Sequence, residues 1–306
     1  MSGRASRFTF LLVSWIEGLA FRASRLVALP AWLFFRFASP KNDQLNYGAL
    51  LSMTSRFQPA PKPTPEEVRR HQIKWANRVA RIANLYSSNN ILEVGCGRGI
   101  AAHHLQEMGF RVYATDIARF LDFQVQNARL KFSVGDVRCL PYPDNQFDLV
   151  FSINSFEHFD PPEIALDEML RVTRPGGLIY LTFDPLYYSP WGLHASRRLG
   201  MPYPQILFAE ETIQRFVDEK HDELAPTYSE GANTTRIGPY LNHYSLGQYR
   251  ALFAKRRASL RLLFYIERIS CDGLVMIIRY SELFKARVPS FEDLIVSGIK
   301  LLGMKR

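Results

Sequence analysis

Ile91-Leu92-Glu93-Val94-Gly95-Cys96-Gly97-Arg98-Gly99 is a short apolar run that breaks into glycines at three alternate positions. It reads as a strand feeding a nucleotide-binding turn, because glycine accepts positive φ and close approach of a ligand to the backbone without strain. The pattern is G-x-G-x-G. Ile100 stands where a dinucleotide fold needs its third glycine to seat a pyrophosphate over a helix N-terminus. Glu93, two residues before the first glycine, would repel a pyrophosphate and welcome an ammonium group. A nicotinamide or flavin enzyme is therefore the weaker reading.

The stretches that follow extend the pattern. Val112-Tyr113-Ala114-Thr115-Asp116 is a second strand ending in an acid, and 116 − 95 = 21 residues from the first glycine is the spacing at which an acid grips both ribose hydroxyls. Gly135-Asp136-Val137 follows a third apolar stretch. Phe147 to Ile153 is a nearly continuous apolar run of the kind that fills a strand buried on both faces. Arg174-Pro175-Gly176-Gly177 makes a tight turn before a fifth strand, Leu178 to Phe183.

In this order and register, residues 89–184 resemble the class I S-adenosylmethionine-dependent methyltransferases, in the branch of the ubiquinone-biosynthesis and small-molecule enzymes. The resemblance implies an α/β fold, a Rossmann-like doubly wound seven-stranded sheet with the last strand antiparallel, and S-adenosylmethionine as cofactor. It implies cofactor contacts from Glu93, Gly95, Cys96, Gly97 and Gly99, from Asp116 and Ile117 at the ribose, and from Asn154 beyond the fourth strand. Asp136 would meet the adenine amino group and the Val137 amide would read the ring. Cys96 reads simply as a small side chain that fits between glycines. Ile153-Asn154-Ser155 contains no Asn or Asp followed by two prolines, which argues against the adenine and glutamine N-methyltransferases.

The charge is unevenly placed. Residues 1–81 hold 13 Lys plus Arg and 4 Asp plus Glu, 13 − 4 = +9, which accounts for the whole net charge of +9. A nucleic-acid enzyme would spread basic groups around its cleft to meet phosphates, so no nucleic-acid partner is expected. From Phe8 to Phe37 the chain is rich in Leu, Trp, Phe and Val, but Glu17, Arg22, Arg25 and Arg36 interrupt it, short of the ~20 apolar residues a spanning helix needs. At helical pitch Arg4, Arg7, Arg22 and Arg25 share a stripe opposite Leu12, Trp15, Ile16, Leu19 and Leu26. Residues 1–41 are thus expected to form a basic amphipathic helix, kinked or ended at Pro30, that lies on an anionic membrane surface or joins a homodimer. Three scattered cysteines fit neither a disulfide framework nor a zinc site and imply a reducing, cytoplasmic setting, with the chain peripheral at the inner membrane face.

The remaining layout follows from punctuation and composition. Residues 42–88 read as a proline-rich connector over the cofactor face, with Tyr47 reaching toward the cofactor, and then a helix from Glu66 to Tyr86. The core is assigned to 89–184 and 246–282, its last strands at Ser259–Arg268 and Gly273–Tyr280. Ser290 with Asp293 three residues on announces a C-terminal helix within 283–306. Residues 185–245, rich in rings, form an α-helical, aromatic substrate cap above the strand ends, where ligands bind open α/β sheets. Methyl transfer is an in-line displacement that needs an oriented acceptor and, for a hydroxyl, a base. His158, just beyond the fourth strand, and His194 and His243 in the cap are the candidates. The expected acceptor is a small molecule, a hydroxyl of a lipid-linked or glycan-type one; the alternatives are a soluble natural-product O- or N-methyltransferase whose N-terminal helix makes a dimer lid and a non-catalytic cofactor-binding scaffold, and no metal is called for.

Overall fold

In the computed structural model, residues 24–58, 60, 61, 63–119, 121, 122, 125, 130–220 and 241–306 are described. The chain builds one seven-stranded sheet from β1 (Asn90–Val94), β2 (Arg111–Asp116), β3 (Lys131–Val134), β4 (Phe147–Ile153), β5 (Thr173–Phe183), β6 (Leu260–Ile269) and β7 (Val296–Lys305), in the order β3-β2-β1-β4-β5-β7-β6. The first five strands are parallel, and β7 runs antiparallel to both β5 and β6. The strand order reverses between β1 and β4, the point at which open α/β sheets bind ligands.

Alternate strand residues supply the two faces, as the period of two requires. Leu92 and Val94 enter one core with α5 (Pro162–Val172) and α9 (Leu246–Lys255). Ile91 enters the other with α3 (Pro65–Leu85) and α4 (Ile100–Glu107). Thr64 and Glu67 form a capping box at the start of α3, which fixes where that helix begins.

A third core lies outside the sheet. It gathers α1 (Leu29–Phe37), α2 (Tyr47–Thr54), α6 (Ser196–Leu199), α7 (Pro204–Leu207), α8 (Glu210–Glu219), α10 (Leu274–Arg279), α11 (Ser281–Arg287) and α12 (Phe291–Ile295) around buried Phe35, Leu50, Tyr203, Phe208, Ile277 and Phe284. The cap is therefore a helical lobe assembled from four separate stretches of sequence.

Several expectations are corrected here. Gly273–Tyr280 is not a strand: Leu274–Arg279 is helical and packs in the lobe. The C-terminal helix expected within 283–306 is limited to α11 and the five residues of α12, and Val296–Lys305 becomes the strand that fills the gap between β5 and β6. The core assigned to 246–282 accordingly runs on to Lys305. The connector is not wholly extended, since α2 folds within it and buries Leu50.

At the N-terminus the expected arginine stripe and its apolar partners from Arg4 to Arg22 lie outside the described residues. Arg25 is ion-paired with Glu292 and points at the protein, not away from it. Helical residues 24–27 break off at Ala28 and Pro30 sits in the first turn of α1, where its missing N–H costs nothing, so the expected kink or end falls just ahead of Pro30. Ala28, Ala31 and Phe35 face the lobe, while Leu26, Val27, Leu29, Trp32, Leu33, Phe34 and Phe37 are exposed. Among the described residues no helix is long and apolar enough to cross a membrane.

The β7 assignment is open to a direct check. A Cβ on Gly303 would stand 2.5 Å from Leu260 Cδ1, so Gly303→Val should cost about 1–3 kcal/mol of stability through overpacking. Urea unfolding measures it, and an unchanged midpoint would contradict a buried strand at this position.

Candidate active site

The glycine loop leaves β1 and turns into α4. Gly95 has φ +72° and no room for a side chain, because a Cβ would meet the Ser155 Cβ at 2.6 Å. Gly97 has φ +49° and the opposite surroundings: nothing lies within 4 Å of where its Cβ would be. One glycine thus permits loop packing, and the other leaves an open cradle. The Gly97 N–H donates to Asp116 Oδ2 at 2.7 Å, so the acid at the end of β2 braces the loop. Gly99, also at positive φ, ends the loop as the N-cap of α4.

Glu93 is 3% exposed and Oε2 has no hydrogen-bond partner among the described residues. Burial pushes its carboxyl up to about 8, with the charge of Asp116 adding to the rise and the Ala102 N–H opposing it. Because Ala102 lies in the first turn of α4, Glu93 also acts as a buried acceptor at that helix N-terminus. Cys96 is buried, and burial beside Glu93 and Asp116 pushes its thiol up. That excludes a reactive thiolate.

Around the rim, Ile117 is 71% exposed beside Asp116. Asp136 caps the short 3₁₀ turn Val137–Cys139, accepting from the Arg138 N–H at 2.8 Å and pairing with the Arg138 guanidinium at 2.7 Å. That guanidinium holds the Asp136 carboxyl below the usual range. Val137 is half-buried at the start of the turn. Asn154 follows β4 at φ +50°, its N–H bonded to Thr182 O at 2.8 Å and its Oδ1 buried without a partner among the described residues.

Ser155 closes this side. Its hydroxyl donates to Gly95 O at 2.9 Å, latching the turn after β4 to the glycine loop. Sequence reasoning did not single it out; an isolated serine after a strand carries no distinguishing signal.

The structure brings His158 and His194 together, with ring centroids 5.0 Å apart and planes at 73°. His158 N–H donates to Ser155 O at 2.9 Å, tying it to the latch. His194 sits in the left-handed region at φ +58° with Nε2 3.3 Å from Pro185 O. A carbonyl only accepts, so Nε2 carries the proton. Burial, reinforced by His158, pushes the His194 imidazole down to about 3 and keeps it neutral. His243 joins a different pair, stacked on Tyr187 at 4.0 Å. Burial lowers its pKa as well.

Asn242 is a clasp: its side-chain amide donates to Phe156 O and Phe159 O at 3.1 and 3.0 Å, and its N–H to Glu157 O at 3.0 Å. The segment bearing His243 is thereby held against the turn that bears His158. Tyr47, expected near the cofactor, instead bonds Glu219 and carries Arg215 over its ring at 4.1 Å, both on α8. Glu157 is 3% exposed with no partner for either carboxylate oxygen among the described residues. Burial raises its carboxyl well above the usual range, opposed by its own backbone N–H and reinforced by the charge of Asp184.

A family model described as a methyltransferase domain matches residues 92–181. The chain is 32% identical over 193 residues to a fatty-acid O-methyltransferase of Mycolicibacterium smegmatis, a match that covers 58% of this chain and 69% of that protein. The chain belongs to the S-adenosylmethionine-dependent methyltransferases. A malonyl-[acyl-carrier protein] O-methyltransferase of Yersinia pestis is 27% identical over 168 residues, 54% of this methyltransferase and 60% of the relative. Among solved structures, an S-adenosylmethionine-dependent methyltransferase from Mesorhizobium loti superposes with a TM-score of 0.42 at 17% identity, covering 71% of this chain and 90% of that one. The cofactor of this methyltransferase family is S-adenosylmethionine, an electrophilic methyl donor.

Glu93 makes stability depend on pH with a definite sign. Its folded pKa lies above the unfolded one, so its contribution is fully present below about 4.5 and is lost as pH rises through about 8. The melting temperature of the wild type should fall from pH 6 to 9, and Glu93→Gln should flatten that fall. Thermal denaturation against pH decides; equal slopes in both proteins would exclude Glu93 as the source.

Proposed function

We propose that this methyltransferase acts on an oxygen, in the first instance a hydroxyl, of a lipid-linked or glycan-type acceptor met at the cytoplasmic face of a membrane. The observation that carries the reading is the His158–His194 pair, whose His158 is linked through Ser155, in the turn after β4, to the open glycine cradle after β1. Cofactor on one side of the latch and imidazoles on the other is the arrangement an in-line displacement requires. Both relatives described above are O-methyltransferases by name, which supports oxygen as the acceptor atom.

In this reading the cradle at Gly95, Cys96, Gly97 and Gly99 receives the cofactor backbone to backbone, Asp116 takes the ribose hydroxyls and Ile117 lies flat against the adenosine. Asp136 and Val137 border the adenine. Glu93 and Asn154, each with a buried oxygen lacking a described partner, suit the cofactor's amino group. The His158–His194 pair manages the proton of the acceptor hydroxyl, and Tyr187 with His243 walls the cleft.

Two arms of one experiment test this. Asp116→Ala removes a charge-assisted acceptor that also braces Gly97 and should weaken S-adenosylhomocysteine binding by about 1.5–3 kcal/mol in calorimetry. His158→Ala and His194→Ala should leave that affinity intact but lower turnover about 10²- to 10⁴-fold. Full turnover in both histidine variants would argue for an acceptor that arrives already ionised, such as a carboxylate.

Membrane contact is supported by the exposed apolar side of α1. Its five exposed large side chains, Leu29, Trp32, Leu33, Phe34 and Phe37, with Leu26 and Val27 just ahead of it, are the kind of exposed apolar group that marks an interaction surface. Leu33→Glu with Phe37→Glu should abolish sedimentation with anionic vesicles and leave S-adenosylhomocysteine affinity unchanged. Arg25 is the poorer probe, since reversing it breaks the Glu292 pair. If the wild type ignores vesicles and the double variant converts a dimer to a monomer, the face joins subunits and a soluble natural-product enzyme becomes the better description.

A further inference from the structure

The least explained group in the molecule is Glu157. A carboxylate 3% exposed, with neither oxygen hydrogen-bonded to any described residue, is costly to fold around unless something else meets it. What surrounds it is specific. One donor atom from each of Glu157, His158 and His194 lies within 4.8 Å of the others, and His158 Nε2 stands 4.0 Å from Glu157 Oε1. We propose that Glu157, His158 and His194 form a binding site for a divalent transition-metal cation.

Two further features fit a ligand set better than a chance cluster. The Nε2–H of His194 is spent on the Pro185 carbonyl, which leaves Nδ1 with its lone pair free to coordinate, and a backbone carbonyl orienting the far nitrogen is how metal-bound imidazoles are usually held. His194 also occupies the left-handed region at φ +58°, a strained conformation for a non-glycine residue that is retained where the surroundings need one side-chain direction.

One carboxylate and two imidazoles are the mixed O and N donors that favour Zn²⁺, Mn²⁺, Fe²⁺ or Co²⁺ over Mg²⁺ or Ca²⁺. Coordination at 2.0–2.2 Å needs donors about 3–3.5 Å apart, so the three side chains have to draw in by up to about 1.5 Å. Glu157 would enter as the carboxylate, its buried charge then matched by the cation.

The role assigned to the site rests on the methyl-transfer reading of the same cleft, and it explains how a neutral, buried His194 can help manage a proton. The cation would bind the acceptor oxygen and favour loss of its proton to water. The oxygen–methyl bond then forms as the methyl–sulfur bond breaks, leaving the thioether neutral.

Calorimetry with Zn²⁺ on the full-length chain should show one site, with Glu157→Gln and His194→Asn each weakening it at least about a hundredfold. Asparagine at 194 keeps a residue type that tolerates positive φ. His104→Asn, on α4 beside Glu107, should change nothing. S-adenosylhomocysteine affinity, measured alongside, should be the same in every variant. If zinc binds normally while S-adenosylhomocysteine does not, the cofactor reading fails and the cation site stands. If the two site variants do not fold, Mn²⁺ added to the wild type should broaden the ring-proton NMR signals of His158 and His194 but not that of His71. No zinc uptake by the wild type, undiminished uptake by the site variants, loss in His104→Asn, or broadening that spares His158 and His194 would each overturn the proposal.

Discussion

The contact between Gly95 and Ser155 carries both halves of the site. Adjacent parallel strands β1 and β4 end side by side at the topological switch point, and their following turns must share one small volume. Glycine at 95 makes that possible, since a Cβ there would overlap Ser155 at 2.6 Å. The Ser155 hydroxyl then converts proximity into a hydrogen bond to Gly95 O. The same turn carries His158, whose backbone N–H donates to Ser155 O, so the separation between the glycine loop and His158 is set by backbone geometry. Cores and sheet registers do not deform continuously, which makes such a distance dependable.

The helical lobe completes the cleft by joining segments far apart in sequence. Its apolar cluster draws together α1, α2, the cap helices and α10 to α12. Ion pairs reinforce the same joints: Arg250 on α9 reaches Glu267 on β6 and Glu292 on α12, and Arg25 ahead of α1 meets Glu292 from the other side. Paired in this way, the half-buried Glu292 keeps its carboxyl below the usual range despite burial. Asn242 performs the equivalent task with neutral groups, fastening the cap to the turn after β4 through three backbone contacts. The outward side of α1 is left largely apolar, with Arg36 the exposed charge on it.

The cleft concentrates buried groups whose solvation is incomplete. Glu93, Asn154 and Glu157 each hold at least one oxygen without a described partner, while the carboxylate of Asp148, at the other end of β4, meets the Asn89 and Asn90 amides and Arg174. Unmet polar groups cost free energy on folding; they also occur away from the cleft, at Asn90 and Gln146 among others, but Glu93 and Glu157 are the two carboxylates among them, and buried carboxylates are the costliest of these groups to leave unmet.

Much of the sheet was legible in the amino-acid sequence because its determinants are local. Three alternate glycines after an apolar run, an acid 21 residues on and the unbroken run of β4 are each patterns that a few neighbouring residues enforce; the turn expected at Arg174–Gly177 lies instead within β5, as an irregularity in its pairing with β4. Helix α3 was readable for the same reason, as the run that follows the proline-rich connector, and the structure adds the Thr64 cap that fixes its start. What tertiary structure alone decided lies where local signals are ambiguous or absent. The Ser290–Asp293 cap is real, with the Asp293 N–H donating to Ser290 Oγ at 3.3 Å, yet the apolar residues after it could serve a helix or a buried strand equally well. The open edges of β5 and β6 settled the matter by pairing Val296–Lys305 from both sides. Likewise no spacing in the chain shows that His194 meets His158 while His243 meets Tyr187. Those partnerships arise only when the lobe folds over the strand ends, because side chains 36 and more residues apart are brought together by packing and not by any repeat of the backbone.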